Sequence, residues 1–323
     1  MLIIRNTLIG MTLFAVIYFT VALSFVLVPN QGSRTNEDVF GFSSVESMSG
    51  NLPDVERYAA RDGSQLAYRF YDSVSENVLV FIHGSSYHGS AYHELASTLS
   101  SAGIAKVYLP NLRGHYLSGK RRGDVAYIGQ LEDDIADLIS LARDRGQGGR
   151  IYIGGHSSGA GLVIRFAGGN YRDMASGYVL LSPVIPTGPA MKGGDAGGWA
   201  SLNQPRMYGL LALNAVGIGG LNGLPIIEFN KPEEFWDGTE TLSYSYRLNQ
   251  SYHPRFDYDT DILAMGNKVI VIVGENDEAV NSSELVLLFA AAEIQVVVLP
   301  GVNHFGVFRN SLSFSAIGKL LEE

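Results

Sequence analysis

The sequence predicts an α/β protein built on a doubly wound, mostly parallel sheet. Apolar runs typical of strands alternate with amphipathic helical stretches from about residue 55 onward, a pattern typical of parallel sheets. A second observation is a G-x-S-x-G motif at 155–159, which lies between a predicted strand and a predicted helix. A third is an uncharged apolar stretch near the N-terminus, which is long enough to cross a bilayer.

The composition indicates one globular domain with appendages. Of the 323 residues, 46% are hydrophobic and 17% are charged, which is far from a disordered composition. The net charge is −9 and no basic run exceeds the pair Arg121 and Arg122, so nucleic acid is not an expected partner. The absence of cysteine from the sequence excludes disulfides, thiolate metal sites and a cysteine nucleophile.

Residues 1–30 are predicted to form an N-terminal transmembrane anchor. The apolar stretch Thr7 to Val28 would extend about 33 Å as a helix, enough for a bilayer core of about 30 Å. A cleaved signal peptide, with a cleavage site near Ser24, and a buried core helix are the alternatives. Arg5 and the amino terminus favour a cytoplasmic N-terminus, so we expect a single-pass membrane protein whose catalytic domain is extracytoplasmic.

Residues 31–54, rich in Ser, Asn and Gly, are predicted to be a linker to a domain at 55–323. Strands are predicted at Gln65–Tyr71, Val78–Ile82, Ala105–Leu109, Ile151–Gly155, Tyr178–Leu181, Lys268–Val273 and Ile294–Leu299. Helices are predicted at Tyr92–Ala102, Ile128–Arg145, Gly159–Ala167, Ser282–Ala292 and Ser311–Leu321. The alternation breaks at about 183–258, where glycines and aromatic residues replace it, and this segment is predicted to be a cap inserted above the sheet.

The motif at 155–159 is typical of a nucleophile elbow. The apolar strand before Gly155 and the helix after Gly159 would place Ser157 on a sharp turn, with its hydroxyl above the sheet. The alternative is an ordinary glycine-rich turn between a strand and a helix. A serine hydroxyl is a weak nucleophile at neutral pH, so it needs a base that is oriented by an acid.

Both partners of the serine are available downstream, in the order Ser, Asp, His. Asp277 follows one predicted strand and His304 follows the next. Of the seven histidines, only His304 follows the acid at the end of a strand, although it could instead be a structural loop residue. Glu275 and Glu278 are the alternative acids. We therefore predict Ser157 as nucleophile, His304 as general base and Asp277 as the orienting acid.

The oxyanion hole is predicted at the end of the strand 78–82. His83 and Gly84 end this strand, and Gly84 lets the backbone turn, unless it only terminates the strand. The backbone amides of Ser85 and Ser158 are then the two donors toward a negative oxygen. The supporting motif is His83, Gly84, Gly155 and Gly159.

With these residues in place, the chain resembles the α/β-hydrolase superfamily, and within it the monoacylglycerol lipase and lysophospholipase group, also described as serine aminopeptidase S33-like. The segment 111–118, Asn-Leu-Arg-Gly-His-Tyr-Leu-Ser, is similar to the D-x-R-G-H-G-x-S loop of that group. Asn111 stands there for Asp and Tyr116 for Gly, which bears on the substrate subgroup more than on catalysis. The resemblance covers about Val55 to the C-terminus and leaves the anchor out.

The resemblance implies hydrolysis of a carboxylic ester through an acyl-enzyme, with a small-molecule or lipid-derived acyl substrate and no cofactor. No histidine cluster in the sequence indicates a metal. Hydrolysis of an amide or thioester, or a non-catalytic binding protein on the same fold, are the alternatives. Aromatic residues of the 183–258 segment either line an acyl pocket or pack the cap onto its own core: Trp199, Tyr208, Phe229, Phe235, Trp236, Tyr244 and Tyr246.

Overall fold

The strands predicted from the sequence pair into one large sheet. The computed structural model describes residues 2–30, 38–42, 51–147, 149–193 and 198–322. The strands are β1 (Val55–Ala59), β2 (Gln65–Tyr71), β3 (Val78–Ile82), β4 (Lys106–Pro110), β5 (Ile151–His156), β6 (Gly177–Leu181), β7 (Ala200–Leu202), β8 (Pro225–Phe229), β9 (Ser243–Ser245), β10 (Val269–Gly274) and β11 (Val296–Leu299). The helices are α1 (Leu2–Val26), α2 (His93–Ser101), α3 (Gln130–Asp144), α4 (Ser158–Ala167), α5 (Gln204–Ala215), α6 (Tyr246–Tyr252), α7 (Tyr258–Ala264), α8 (Ser282–Ala290) and α9 (Ser311–Glu322).

Within the described ranges, eight strands form the main sheet in the order β1-β2-β4-β3-β5-β6-β10-β11. The β1–β2 and β2–β4 pairs are antiparallel, and the remaining pairs are parallel. The strands β3, β5 and β6 are buried along their whole length, as expected where helices cover both faces of a parallel sheet. The predicted doubly wound, mostly parallel sheet is confirmed.

Because β4, β3, β5, β6, β10 and β11 run in one direction, their carboxyl ends meet at one edge of the main sheet. In the β3–β5 ladder, Ile82 pairs with Gly155, so the loop after β3 lies beside the turn after β5. In the β10–β11 ladder, Gly274 pairs with Leu299, so the loops after these two strands are also neighbours. The parallel register therefore brings together four loops that are far apart in the sequence.

Most predicted elements agree with the structure to within two residues, but several elements had no signal in the sequence. These are β1, the short helix α7, and the elements of the 183–258 segment, where β7, β8 and β9 form a small antiparallel sheet beside α5 and α6. Strands of three residues, as in β7 and β9, are too short to show an alternating pattern. Their formation depends on tertiary contacts.

The helix α1 is apolar and mostly exposed, and it packs against α5. Ile4–Val26 has a mean hydropathy of 2.2 and is long and apolar enough to cross a membrane, and only 11% of the most apolar stretch is buried. The small burial argues against a core helix. The hydroxyl of Tyr18 donates to the carbonyl of Ala212 at 2.6 Å, and the Arg206 guanidinium donates to the carbonyl of Val26 at 3.0 Å.

The predicted linker 31–54 lies largely outside the described residues. Its described residues are 38–42 and 51–54. The stretch 38–42 is packed against the rest of the chain, since Phe40 and Phe42 are buried. The amide of Phe42 donates to Asp38 Oδ1 at 2.7 Å, which closes this stretch into a turn.

The loop after β4 is fixed by a buried guanidinium. The side chain of Arg113 binds Asp134 of α3 through two hydrogen bonds of 2.7 and 2.8 Å and binds Asp62 of the β1–β2 turn at 3.0 Å. The side chains of Arg113 and Asp134 are 8% and 3% exposed. This ion pair joins the antiparallel edge of the sheet to α3 and to the loop that carries His115.

Replacement of Arg113 by alanine should therefore be strongly destabilising. The Asp134 carboxylate would lose its partner while still buried, and we expect the free energy of unfolding to fall by about 3–5 kcal/mol. Denaturant unfolding of the detergent-solubilised protein measures this change. Arg121→Ala is the matched control, because the Arg121 side chain is 62% exposed and pairs with Asp124 at the surface. Equal losses in both variants would contradict the structural role given to Arg113.

Candidate active site

Ser157 lies on a strained turn between β5 and α4. Its backbone angles are φ 57° and ψ −126°, a region that non-glycine residues seldom occupy. The flanking glycines make the turn possible. A Cβ at Gly155 would lie 2.5 Å from the carbonyl carbon of Gly159, and a Cβ at Gly159 would lie 2.4 Å from the carbonyl oxygen of His83. The motif therefore has a steric basis, because α4 passes directly against the end of β3.

Asp277 and His304 meet at the carboxyl ends of β10 and β11. Both carboxylate oxygens of Asp277 lie 2.9 Å from His304 Nδ1. The carboxylate also accepts the amides of Ala279 and Val280 at 2.9 Å. Burial alone raises the pKa of Asp277, but the charge and hydrogen bond of His304 and the Val280 amide outweigh it and hold the pKa below the usual value.

The alternative acids have other contacts. Glu275 Oε2 accepts the amide of Gly301 at 2.8 Å, and Glu278 Oε2 accepts the amide of His304 at 2.9 Å. Neither carboxylate has a hydrogen bond to the His304 ring among the described residues. Asp277 is thus the carboxylate that the structure brings to the imidazole.

Ser157 and His304 line one small void, together with Gly84 and Ser85. Both residues are buried, Ser157 at 7% and His304 at 1% exposure. Among the hydrogen bonds of the described residues, none joins the Ser157 hydroxyl to His304. In enzymes without substrate, such contacts are often long and shorten only when the substrate binds.

Of the two predicted oxyanion donors, Ser85 lines the same void, and Ser158 directly follows Ser157. Ser158 begins α4, so its N–H belongs to the first turn and has no partner within the helix. Ser85 follows Gly84, and a Cβ at Gly84 would lie 3.2 Å from the Cβ of Ser157. Glycine at 84 therefore lets the backbone of this loop run close to the serine.

A buried hydrogen-bond chain that sequence reasoning missed joins the loop after β3 to the loop of His304. The Gly84 amide donates to the Tyr92 hydroxyl at 2.9 Å, which lies 3.0 Å from His156 Nδ1, and His156 Nε2 lies 2.9 Å from the His304 carbonyl. Because a carbonyl only accepts, Nε2 of His156 carries the proton and Nδ1 accepts from Tyr92. Burial, and next the neighbouring His304, lower the pKa of His156 well below its usual value, so it remains neutral.

The segment 183–258 holds the loop after β3. Tyr244 receives the amide of Ser86 at 2.7 Å and lies 2.6 Å from His115 Nε2, and the amide of Thr241 donates to the carbonyl of Ser86 at 3.0 Å. Tyr252 donates to the carbonyl of His83. These contacts need the tertiary fold, since they join residues more than 120 positions apart along the chain.

A larger cavity of about 540 Å³ opens beside Ser157, within the usual range for small-molecule sites. Side chains from several elements line it, mostly apolar, and among them are Val184, Met191, Trp199, Met207, Tyr208, Phe229 and Phe256. Of the aromatic residues singled out in the sequence, Trp199, Tyr208 and Phe229 face this cavity. The other four do not line it; Tyr244 holds the loop after β3, and Tyr246 packs in the apolar cluster beside α1.

Among the described residues, no three His, Asp or Glu side chains lie in an arrangement that could hold a metal ion.

Comparisons with known proteins agree with this architecture. A family model described as serine aminopeptidase, S33, matches residues 74–213. The monoacylglycerol lipase of Mycolicibacterium smegmatis is 30% identical over 131 residues, which are 40% of this chain and 46% of that protein. The monoglyceride lipase homolog of monkeypox virus is 31% identical over 108 residues, which are 33% of this chain and 38% of that protein. The chain thus matches less than half the length of these two relatives.

Solved structures share the fold over nearly their whole length. The monoacylglycerol lipase of Paleococcus ferrophilus has a TM-score of 0.58 and 20% identity, with 80% of this chain and 98% of that chain covered. A soluble variant of the monoglyceride lipase of Saccharomyces cerevisiae has a TM-score of 0.61 and 16% identity, with 91% and 98% covered. The chain has the α/β-hydrolase fold. In sequence and fold it is similar to the monoglyceride lipase-like group.

The glycine at position 159 should be irreplaceable. In Gly159→Ala the new methyl group would overlap the carbonyl oxygens of Ile82 and His83, so α4 and Ser157 must move. We expect kcat/KM on a short acyl ester to fall about 100-fold or more, because such displacements of reacting groups are costly. Gly220→Ala is the matched control, since a Cβ there meets nothing within 4 Å. Comparable activity of the two variants would contradict the close approach of α4.

Replacement of Asp277 by asparagine should leave the fold intact and remove the carboxylate that contacts His304 Nδ1. The amide oxygen can still accept from Ala279 and Val280, but the amide group would face Nδ1 of His304 and favour the wrong tautomer. We expect kcat to fall about 1000-fold or more, measured with the same ester. Glu275→Gln is the control and should keep nearly full activity. A fully active Asp277→Asn protein would remove Asp277 from the site.

Proposed function

We propose that this protein is a serine hydrolase that cleaves carboxylic esters through an acyl-enzyme. Ser157 acts as nucleophile, His304 as general base and Asp277 as the acid that orients the histidine. The observation that carries the proposal is the contact of 2.9 Å between the Asp277 carboxylate and His304 Nδ1. His304 and Ser157 line the same small void. The opposite ring nitrogen, Nε2, is left to take the serine proton.

The reaction has two halves that use the same groups. Ser157 Oγ attacks the carbonyl carbon of the ester while His304 Nε2 takes its proton, and the amides of Ser85 and Ser158 stabilise the negative oxygen. Collapse of this intermediate expels the alcohol, which receives the proton from His304. Water then attacks the acyl-enzyme with His304 again as base, and the acid product leaves. Each step conserves its protons, so it needs no cofactor.

The substrate proposed is a lipid-derived acyl ester. The cavity beside Ser157 is large and lined mostly by apolar side chains, which suits an acyl chain better than a charged group. The names of the relatives from Mycolicibacterium smegmatis and monkeypox virus, which denote monoacylglycerol or monoglyceride lipases, support the same substrate class.

We also propose that α1 anchors the enzyme in a membrane as a single pass, with the catalytic domain outside the cytoplasm. The contacts of α1 with α5 support retention of the helix, because cleavage near Ser24 would remove Tyr18 and Ala22, which contact α5. A Cβ at Gly209 would lie 2.6 Å from the carbonyl oxygen of Ala22, so glycine there lets the two helices pack closely. Arg5 at the N-terminal end of α1 supports the orientation.

The proposed function predicts that a fluorophosphonate probe labels full-length, detergent-solubilised protein at Ser157. Ser157→Ala should abolish labelling, and His304→Ala should slow it by about 100-fold or more, because the base is lost. Ser283→Ala and His93→Ala are matched controls, since both residues lie away from the site, and should be labelled as the wild type is. Peptide mapping identifies the labelled residue.

Hydrolysis rates of different substrates then show which type of bond the enzyme cleaves. Esters, amides and thioesters of one acyl group, presented in mixed micelles, should be hydrolysed with the ester preferred. Absence of labelling and of turnover in folded wild-type protein would overturn the proposal and favour a binding protein. Labelling with a preference for the amide or thioester would overturn the ester assignment alone.

A further inference from the structure

The buried stretch 38–42, here called the strap, contacts the catalytic histidine. The ring of Phe40 stacks on the ring of His304, with centroids 4.9 Å apart and planes inclined by 23°. Phe40 is 2% exposed, so it is a built-in neighbour of the histidine and not a surface residue. The strap lies before the hydrolase domain in the sequence, and the pattern of that domain does not predict it.

The ring of Phe40 also contacts two other aromatic rings of the site. Its ring centroid lies 5.3 Å from Trp199 and 5.3 Å from Phe305. The indole N–H of Trp199 donates to Ser85 Oγ at 3.1 Å, next to a proposed oxyanion donor. Phe40 therefore lies between His304 and Trp199, the residue that is hydrogen-bonded to Ser85. It lines both the small void and the larger cavity.

We propose that Phe40 is a positioning residue for acyl transfer, supplied by the strap. This inference rests on the proposed function and assigns one further residue to it. The imidazole is held at Nδ1 by Asp277, and a hydrogen bond at one edge still allows the ring to tilt. The stacked ring of Phe40 limits this tilt and keeps Nε2 directed to the void that contains Ser157.

The strap offers a matched control in Phe42. It is the same residue type, fully buried and in aromatic contact with Trp199 and Phe305, at centroid distances of 5.4 and 5.3 Å. It has no ring contact with His304 among the described residues and lines neither cavity. Truncation of either ring removes a similar amount of buried apolar surface, but only the truncation of Phe40 removes the contact with His304.

The test compares Phe40→Ala, Phe40→Leu and Phe42→Ala in the full-length protein in detergent. Thermal unfolding measures the stability of each, and kcat and KM are measured with a short and a long acyl ester. We expect Phe40→Ala to lower kcat about tenfold or more for both esters, with KM changed less than about threefold, because the base is misaligned while the other residues that line the cavity remain in place. The rate of fluorophosphonate labelling at saturating probe should fall in parallel.

Phe40→Leu should recover kcat to within about threefold, since leucine restores an apolar cover of similar size. The melting temperature of Phe42→Ala should fall as far as that of Phe40→Ala. Its kcat should stay within about twofold of the wild-type value. Equal losses of kcat in Phe40→Ala and Phe42→Ala, or a change confined to KM, would overturn the positioning role. Failure of the proposed function looks different, because the wild type itself would then neither label nor turn over.

Discussion

The close approach of α4 to the end of β3 is the constraint on which the site depends. Only glycine at 155 and 159 leaves room for this approach. The sharp turn between β5 and α4 holds Ser157 in an unfavourable backbone conformation. The same approach brings the first amide of α4 beside the loop that carries Ser85. The positions of Ser157 and of the proposed oxyanion donors are thus set by backbone packing, which costs no side-chain ordering when a substrate binds.

Hydrogen bonds between buried neutral groups extend this constraint to the histidine. The chain from Gly84 through Tyr92 and His156 ends at the backbone of His304, so the loop after β3 and the loop of His304 share one rigid support. Every member has a partner, which is the condition under which a buried polar network stabilises a fold. His156, a variable position of the elbow motif, has a defined structural role here.

The 183–258 segment and the strap complete the site from outside the sheet. Tyr244 and Tyr252 hold the loop after β3, while Trp199 and Phe40 cover the void above Ser157. The cavity lies between these elements and the sheet, and Tyr208 lines both this cavity and the groove between α1 and α5. Under the proposed function, the proximity of the groove to the cavity would give an acyl substrate from a bilayer a short path to Ser157.

Local sequence pattern alone determined seven of the eight strands of the main sheet, the order of Ser157, Asp277 and His304, and the apolar N-terminal helix. Continuous apolar runs, strand-end positions and glycine spacing are local properties, and they can be recognised without knowledge of contacts. The triad roles remain proposals that the geometry supports.

Tertiary structure decided the small sheet of the 183–258 segment, the partners of Tyr92 and His156, and the burial of Phe40 in a stretch that the sequence assigned to a linker. The physical reason is that short strands and isolated aromatic rings are stabilised only by distant parts of the chain. No local pattern in the sequence records such contacts.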